Sequence, residues 1–154
     1  MNILVIHGPN LHFLGRRKPE IYGTQTLEQI NRAITDEANR LGIETRIFQS
    51  NSEGGIIDII TENAEWADAL IINPAAYTHY SYAIRDAIEA VNIPTAEVHL
   101  SDINAREDFR RISVIAPVCE TQIMGKGINS YIEALRYLST KKINKKHRKF
   151  YKLY

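Results

Sequence analysis

Glu97 and His99 flank Val98, a spacing that sets both side chains on one face of a strand. A carboxylate beside an imidazole fixes the ring tautomer and helps keep it partly protonated, which suits a general acid. Arg17 and Tyr22 make a second chemical pair. A free phenol, with a pKa near ~10, is ionised in only about one molecule in a thousand at neutral pH, so it needs a nearby cation to serve as a base. A third set could hold an anion. Leu100 and Ser101, leaving a strand end, can offer two backbone N–H groups, and Asn73 can add an amide donor. Arg106 and Arg110, four residues apart, can share one helical face. Together these groups would suit a small carboxylate that bears hydroxyls.

Each set also has a plainer reading. Tyr22 can be a half-buried strut with Arg17 in solvent, His99 a buried structural histidine, and Arg106 and Arg110 partners of Glu107 or Asp108 on the surface. His79 and His99 belong to no ligand cluster of recognised spacing, which argues against a metal site. Lone Cys119 excludes an internal disulfide framework and reads as a small buried hydrophobe.

The reactive residues stand in three blocks, each directly after an apolar run. His7-Gly8-Pro9-Asn10-Leu11 follows Ile3-Leu4-Val5-Ile6, with Arg17 and Tyr22 further on. Asn73-Pro74-Ala75-Ala76-Tyr77-Thr78-His79 follows Ala69-Leu70-Ile71-Ile72, and Glu97-Val98-His99-Leu100-Ser101 follows the run Ile93 to Ala96. If the runs are parallel strands, the blocks share the sheet edge at which open α/β folds bind ligands.

Apolar runs alternate with segments of helical period, the pattern of βαβ units and a parallel sheet. Strands are expected at 2–7, 43–49, 68–73, from Pro94 onward, and within 112–124, where Pro117 blurs the limits. Helices are expected from Thr26, as a capping residue with Gln29, to about Leu41; at 55–65, with Ile56, Ile57, Ile59 and Ile60 buried; at 81–91; briefly at 105–111; and at 128–138. The commonest arrangement for such a chain is flavodoxin-like: an α/β fold with a five-stranded parallel sheet of order 2-1-3-4-5 and helices on both faces. That order makes strands 1, 3 and 4 neighbours, so blocks some sixty residues apart converge on one pocket.

Residues 8–23 exceed the usual two to six residues of a βα connection, and such loops tend to be lids. The loop lacks both the phosphate-binding Gly-x-x-x-x-Gly-Lys-Ser/Thr pattern and the dinucleotide Gly-x-Gly-x-x-Gly pattern. A chain of 154 residues fits one domain. The expected division is a catalytic unit at 1–140 and a basic tail at 141–154. The net charge of +1 hides this asymmetry, because the tail holds seven Lys or Arg and no acid, which leaves residues 1–140 at −6. An acidic body argues against a nucleic-acid-binding domain, although the tail could touch RNA, an anionic surface or nothing. With no long apolar stretch and no charged leader, the protein is expected to be soluble, free of membrane and cytoplasmic.

At this point the motifs resemble a family, type II 3-dehydroquinate dehydratase, the dehydroquinase of the shikimate pathway. The resemblance rests on Gly8-Pro9-Asn10-Leu11 with Leu14-Gly15, Arg17, Pro19 and Tyr22-Gly23, on the block from Asn73 to His79, and on Glu97 to Ser101 with Ala105-Arg106-Glu107 and Phe109-Arg110. It runs to about Leu138 and implies a flavodoxin-like subunit, a dodecamer built from trimers, and no cofactor. The implied reaction is a reversible dehydration of 3-dehydroquinate to 3-dehydroshikimate through an enolate, in aromatic amino-acid biosynthesis. Tyr22 would be the base, Arg17 would lower its pKa, His99 would protonate the leaving hydroxyl with Glu97 orienting it, and Asn10 would hold a water against the enolate oxygen. Asn73, Leu100 and Ser101 would bind the carboxylate, His79 and Arg110 the ring hydroxyls, and Asp86 would reach a neighbouring subunit's site. Lys18, Ser52, Asp102 and Asn104 depart from the usual family residues without removing a catalytic group. A non-catalytic binding module on the same fold is the rival reading, disfavoured by the joint presence of Tyr22, Arg17 and His99.

Overall fold

The computed structural model describes residues 1–16 and 24–141. Five strands, β1 (Asn2–His7), β2 (Glu44–Gln49), β3 (Ala69–Asn73), β4 (Thr95–Val98) and β5 (Thr121–Ile123), form one parallel sheet of order β2-β1-β3-β4-β5. Among the described residues four α-helices, α1 (Leu27–Arg40), α2 (Glu53–Glu62), α3 (Tyr82–Val91) and α4 (Asn129–Ser139), cover it. This is the expected topology.

Burial explains the strand sequences. Every residue of β3 and β4 is buried, as a central strand of a sheet covered on both faces requires, whereas the edge strand β2 alternates exposed and half-buried residues. Helices α1 and α4 pack on one face over Ile3, Val5, Ile71 and Val98. Helices α2 and α3 pack on the other over Leu4, Ile6, Leu70 and Ile72. Side-chain alternation therefore sends every second strand residue to a different helix pair.

Local signals fix most boundaries. Thr26 and Gln29 make a reciprocal capping box, and Ile30, Ile34 and Ala38 form the buried stripe of α1. Helix α2 starts at Glu53 rather than at residue 55, because the Ser52 hydroxyl accepts the Gly55 N–H and so carries the helix through two glycines that weaken a propensity reading. Only Ile56 and Ile60 are fully buried there; Ile57 and Ile59 pack at its margin. The helix expected at 105–111 is replaced by two separate 3-10 turns, Ile103–Ala105 and Asp108–Arg110. Asp102 caps the first turn through the Asn104 N–H, and the extended backbone of Arg106 breaks the run. Pro117 lies in a further turn, Ala116–Val118, which confines β5 to three residues. Among the described residues no helix is long and apolar enough to cross a membrane.

Candidate active site

The loops after β1, β3 and β4 meet over the carboxyl edge of the sheet and enclose a pocket of about 120 Å³. Their closeness has a specific cause. A Cβ on Gly8 would lie 2.6 Å from the carbonyl carbon and oxygen of Pro74, so only glycine lets the first loop touch the second. The Gly8 N–H donates to the Asn73 carbonyl at 2.7 Å and seals that contact. Asn10 and Ala75, both pocket residues, adopt left-handed backbone with φ of 66° and 51°. Such conformations persist where the surroundings enforce them and tend to collect at functional sites.

Seven of the anticipated residues line this pocket: Asn10, Asn73, His79, His99, Leu100, Ser101 and Arg110. Among the described residues none accepts a backbone hydrogen bond from Leu100 or Ser101, so their N–H groups remain available to an anion at the end of β4. The His79 Nδ1–H donates to the Ile112 carbonyl at 2.8 Å, which in a neutral ring leaves Nε2 as an acceptor.

Glu97 does not line the pocket. It lies fully buried behind His99, and its Oε1 is 2.6 Å from His99 Nε2. A carboxylate only accepts, so Nε2 carries the hydrogen and Nδ1 is the ring atom left for chemistry. Burial alone would raise the Glu97 pKa. The His99 hydrogen bond and charge, with the Thr78 and Ser113 hydroxyls, outweigh it and hold the group below the usual carboxylate range. Thr78 donates to Oε1, and Ser113 Oγ lies 2.8 Å from Oε2. The same Ser113 oxygen accepts the N–H groups of Ile115 and Ala116 at 3.1 and 2.9 Å, which fixes the loop that supplies it. Thr78 falls inside the block from Asn73 to His79 without a role legible in the sequence, and Ser113 carries no signal there.

Arg106 also faces the pocket, with Nη1 3.4 Å from Ser101 Oγ. Since the segment is not one helix, Arg106 and Arg110 are brought together by Glu107, at 3.5 and 2.8 Å respectively, and not by a shared helical face. The surface-pairing and pocket-lining readings are therefore both partly met. Asp86 lies exposed on α3, apart from the lining of this subunit's pocket. Arg17 and Tyr22 lie outside the described residues, as does the tail beyond Lys141. Cys119 packs at the edge of the core, where burial first and then the Glu97 charge push its thiol up to about 12, far from a reactive thiolate. Among the described residues no group of three His, Cys, Asp or Glu side chains comes together as metal ligands.

The chain's sequence and fold have clear counterparts. The family model described as dehydroquinase class II matches residues 1–139. A 3-dehydroquinate dehydratase of Pelotomaculum thermopropionicum is 55% identical over 136 residues, covering 88% of this chain and 94% of the relative. One from Caldicellulosiruptor bescii is 60% identical over 134 residues, covering 86% and 92%. The crystal structure of a type II dehydroquinase from Butyrivibrio crossotus superposes with a TM-score of 0.89 at 50% identity, covering 91% of this chain and 98% of that one. With the family model that match settles the kinship: the chain belongs to the class II dehydroquinases.

Proposed function

We infer that this chain catalyses the dehydration of 3-dehydroquinate to 3-dehydroshikimate, a hydro-lyase step of the shikimate pathway, through an enolate. The observation that carries the reading is the buried Glu97 held against His99 in a pocket that His99 lines together with Asn73, Leu100 and Ser101. An acid stands within one small cavity of an anion site, as a hydroxylated carboxylate substrate needs.

The proposed course uses these groups in order. Tyr22, made acidic by Arg17, takes the proton next to the ketone and leaves an enolate. Asn10 holds the water that hydrogen-bonds the enolate oxygen, where negative charge develops. The His99 imidazolium, paired with Glu97, then gives its proton to the C1 hydroxyl, which leaves as water while the ring double bond forms. The substrate carboxylate rests on Asn73, Leu100 and Ser101, and the ring hydroxyls on His79 and Arg110. Loss of one donor that meets the developing charge typically costs roughly a hundredfold in rate.

The assembly belongs to the same proposal: residues 1–140 form a single catalytic domain that assembles as a dodecamer of trimers in the cytoplasm, with Asp86 completing a neighbour's site, and residues 141–154 form an appended basic tail. The exposure of Asp86 on α3 supports its role between subunits.

Adding 3-dehydroquinate to the purified protein should raise ultraviolet absorbance as the conjugated enone forms. A folded protein that gives no such signal overturns the assignment. Tyr22→Phe should abolish turnover with ligand affinity largely kept, and full activity in that variant would remove Tyr22 from the base role. A solution mass other than twelve chains would set aside the assembly.

A further inference from the structure

Behind the His99–Glu97 pair stand two hydroxyls and one short segment. Thr78 lies in the 3-10 turn Ala75–His79 that follows β3, and Ser113 in the segment 112–116. Thr78 and Glu97 are wholly buried, at 0% exposure. Ser113 Oγ accepts the N–H groups of Ile115 and Ala116, so its lone pairs are taken and its hydrogen is left to donate. That hydrogen goes to the Glu97 carboxylate, with Oε2 at 2.8 Å and Oε1 at 3.0 Å. The Thr78 hydroxyl, 3.0 Å from Ser113 Oγ, donates to Oε1, which also takes the His99 Nε2 hydrogen. Both carboxylate oxygens are thus engaged, and the group cannot turn without breaking a hydrogen bond. The segment that carries Ser113 is itself fastened to the β3 loop. The Val114 N–H donates to the Thr78 carbonyl at 2.8 Å, Ile115 is buried in the core beneath α2 and α3, and the Ile112 carbonyl accepts the His79 Nδ1 hydrogen. One segment therefore reaches both pocket histidines, His79 directly and His99 through Glu97.

We propose that Thr78 and Ser113 are positioning residues that act on His99 through Glu97. Their hydrogens hold the carboxylate in the orientation that receives the Nε2 hydrogen, which leaves Nδ1 for the substrate. Without either hydroxyl the carboxylate is free to rotate, and the imidazole loses the partner that fixes its tautomer and its angle. The proposal rests on the reading of His99 as the acid that protonates the C1 hydroxyl of 3-dehydroquinate. Proton donation is made only in the transition state, so a misaligned ring is read in kcat and not in KM.

The test is steady-state turnover of 3-dehydroquinate by Thr78→Val, which keeps the branched shape and removes the hydroxyl. It should lower kcat about tenfold with KM within about twofold, the size expected when a hydrogen bond to a charged group is lost. Thr78→Ser, which restores the donor, should recover most of the rate. In a Glu97→Gln background Thr78→Val should lower kcat little further, since the carboxylate it acts through is gone. A wild-type kcat in Thr78→Val, its full loss in both backgrounds, or no recovery in Thr78→Ser overturns the proposal. Should Thr78→Val fail to fold, Ser113→Ala should lower kcat about threefold with KM unmoved, and an unchanged kcat there counts against the proposal. Wild-type protein that does not turn over 3-dehydroquinate marks failure of the functional reading instead. Nitrogen NMR of the neutral His99 ring then tests the positioning alone. The hydrogen should sit on Nε2 in the wild type and divide between both nitrogens in Thr78→Val or Ser113→Ala, and an identical tautomer in wild type and variant overturns the proposal.

Discussion

The two faces of the sheet supply the same crevice from opposite sides and by opposite electrostatic means. Beneath α2 and α3 lies Glu97, a buried carboxylate kept ionised by His99 and by the hydroxyls of Thr78 and Ser113. Beneath α1 and α4 lies His7, 2.8 Å from both the Asn31 carboxamide oxygen and the Tyr131 hydroxyl, an imidazole that burial keeps neutral, its pKa lowered to about 4 although the Asn31 hydrogen bond works against the shift. Both networks are buried and well bonded, yet one holds charge and the other excludes it. The difference follows from the partners. A carboxylate surrounded by three donors is stabilised as an anion, whereas a histidine between a carboxamide oxygen and a phenol has no anion to compensate a second proton. The charged network adjoins His99, the proposed acid; the neutral one adjoins Asn73, proposed to bind the substrate carboxylate.

Several substitutions and conditions can break this contrast. The largest effect is expected at the charged face. His99→Gln should lower kcat by roughly a hundredfold or more, the usual contribution of a positioned acid. A kcat within tenfold of wild type, measured by enone absorbance, would remove His99 from proton transfer.

The second concerns stability against pH. Folded His7 titrates at about 4 against 6.5 in the unfolded chain, so between these values the unfolded state binds more protons. Stability from this site is whole above pH 6.5, declines as pH falls, and is lost by pH 4, a change of about 3 kcal/mol. Glu97, with a folded pKa below its ordinary 4.5, loses its contribution as pH falls from 4.5 through that lower value, a window that begins at the acid end of the His7 one. Denaturant melts at pH 7, 5.5 and 4 should show the first decline in wild type and a flatter profile in His7→Gln. Superimposable profiles would mean that His7 does not titrate as a buried neutral ring.

A third and smaller effect is expected at Ser113. Ser113→Ala removes a donor from a buried carboxylate and leaves two backbone N–H groups without their acceptor, at a cost of about 1–3 kcal/mol in unfolding free energy. The pH dependence assigned to His7 should not change, because no hydrogen bond joins the two networks among the described residues. A shift of that profile would show that the networks are coupled through the sheet.

Much of this arrangement is legible in the chain, for reasons that also mark where reading stops. Buried parallel strands are written as unbroken apolar runs, so β1, β3 and β4 declare themselves and deliver their following residues to one edge. Glu97 and His99 are legible as a pair because a strand's period of two makes them neighbours without any tertiary knowledge. Tyr131 is not, because an aromatic on the buried stripe of a helix reads as core, and its bond to His7 spans 124 positions. Ser113 is silent for a similar reason: it lies in a loop with no pattern of its own, and only the fold brings it to Glu97. The 3-10 turns at 103–110 escaped because Arg106 and Arg110 carry helical spacing while a capping Asp102 and an extended Arg106 impose something shorter.

The central claim is a division of labour between the two faces, and steady-state kinetics of Glu97→Gln beside Asn73→Ala tests it most directly. The account predicts that Glu97→Gln lowers kcat severely with KM moved little, and that Asn73→Ala raises KM with kcat nearly intact. Equal losses of kcat in both variants, with KM unmoved, would contradict it.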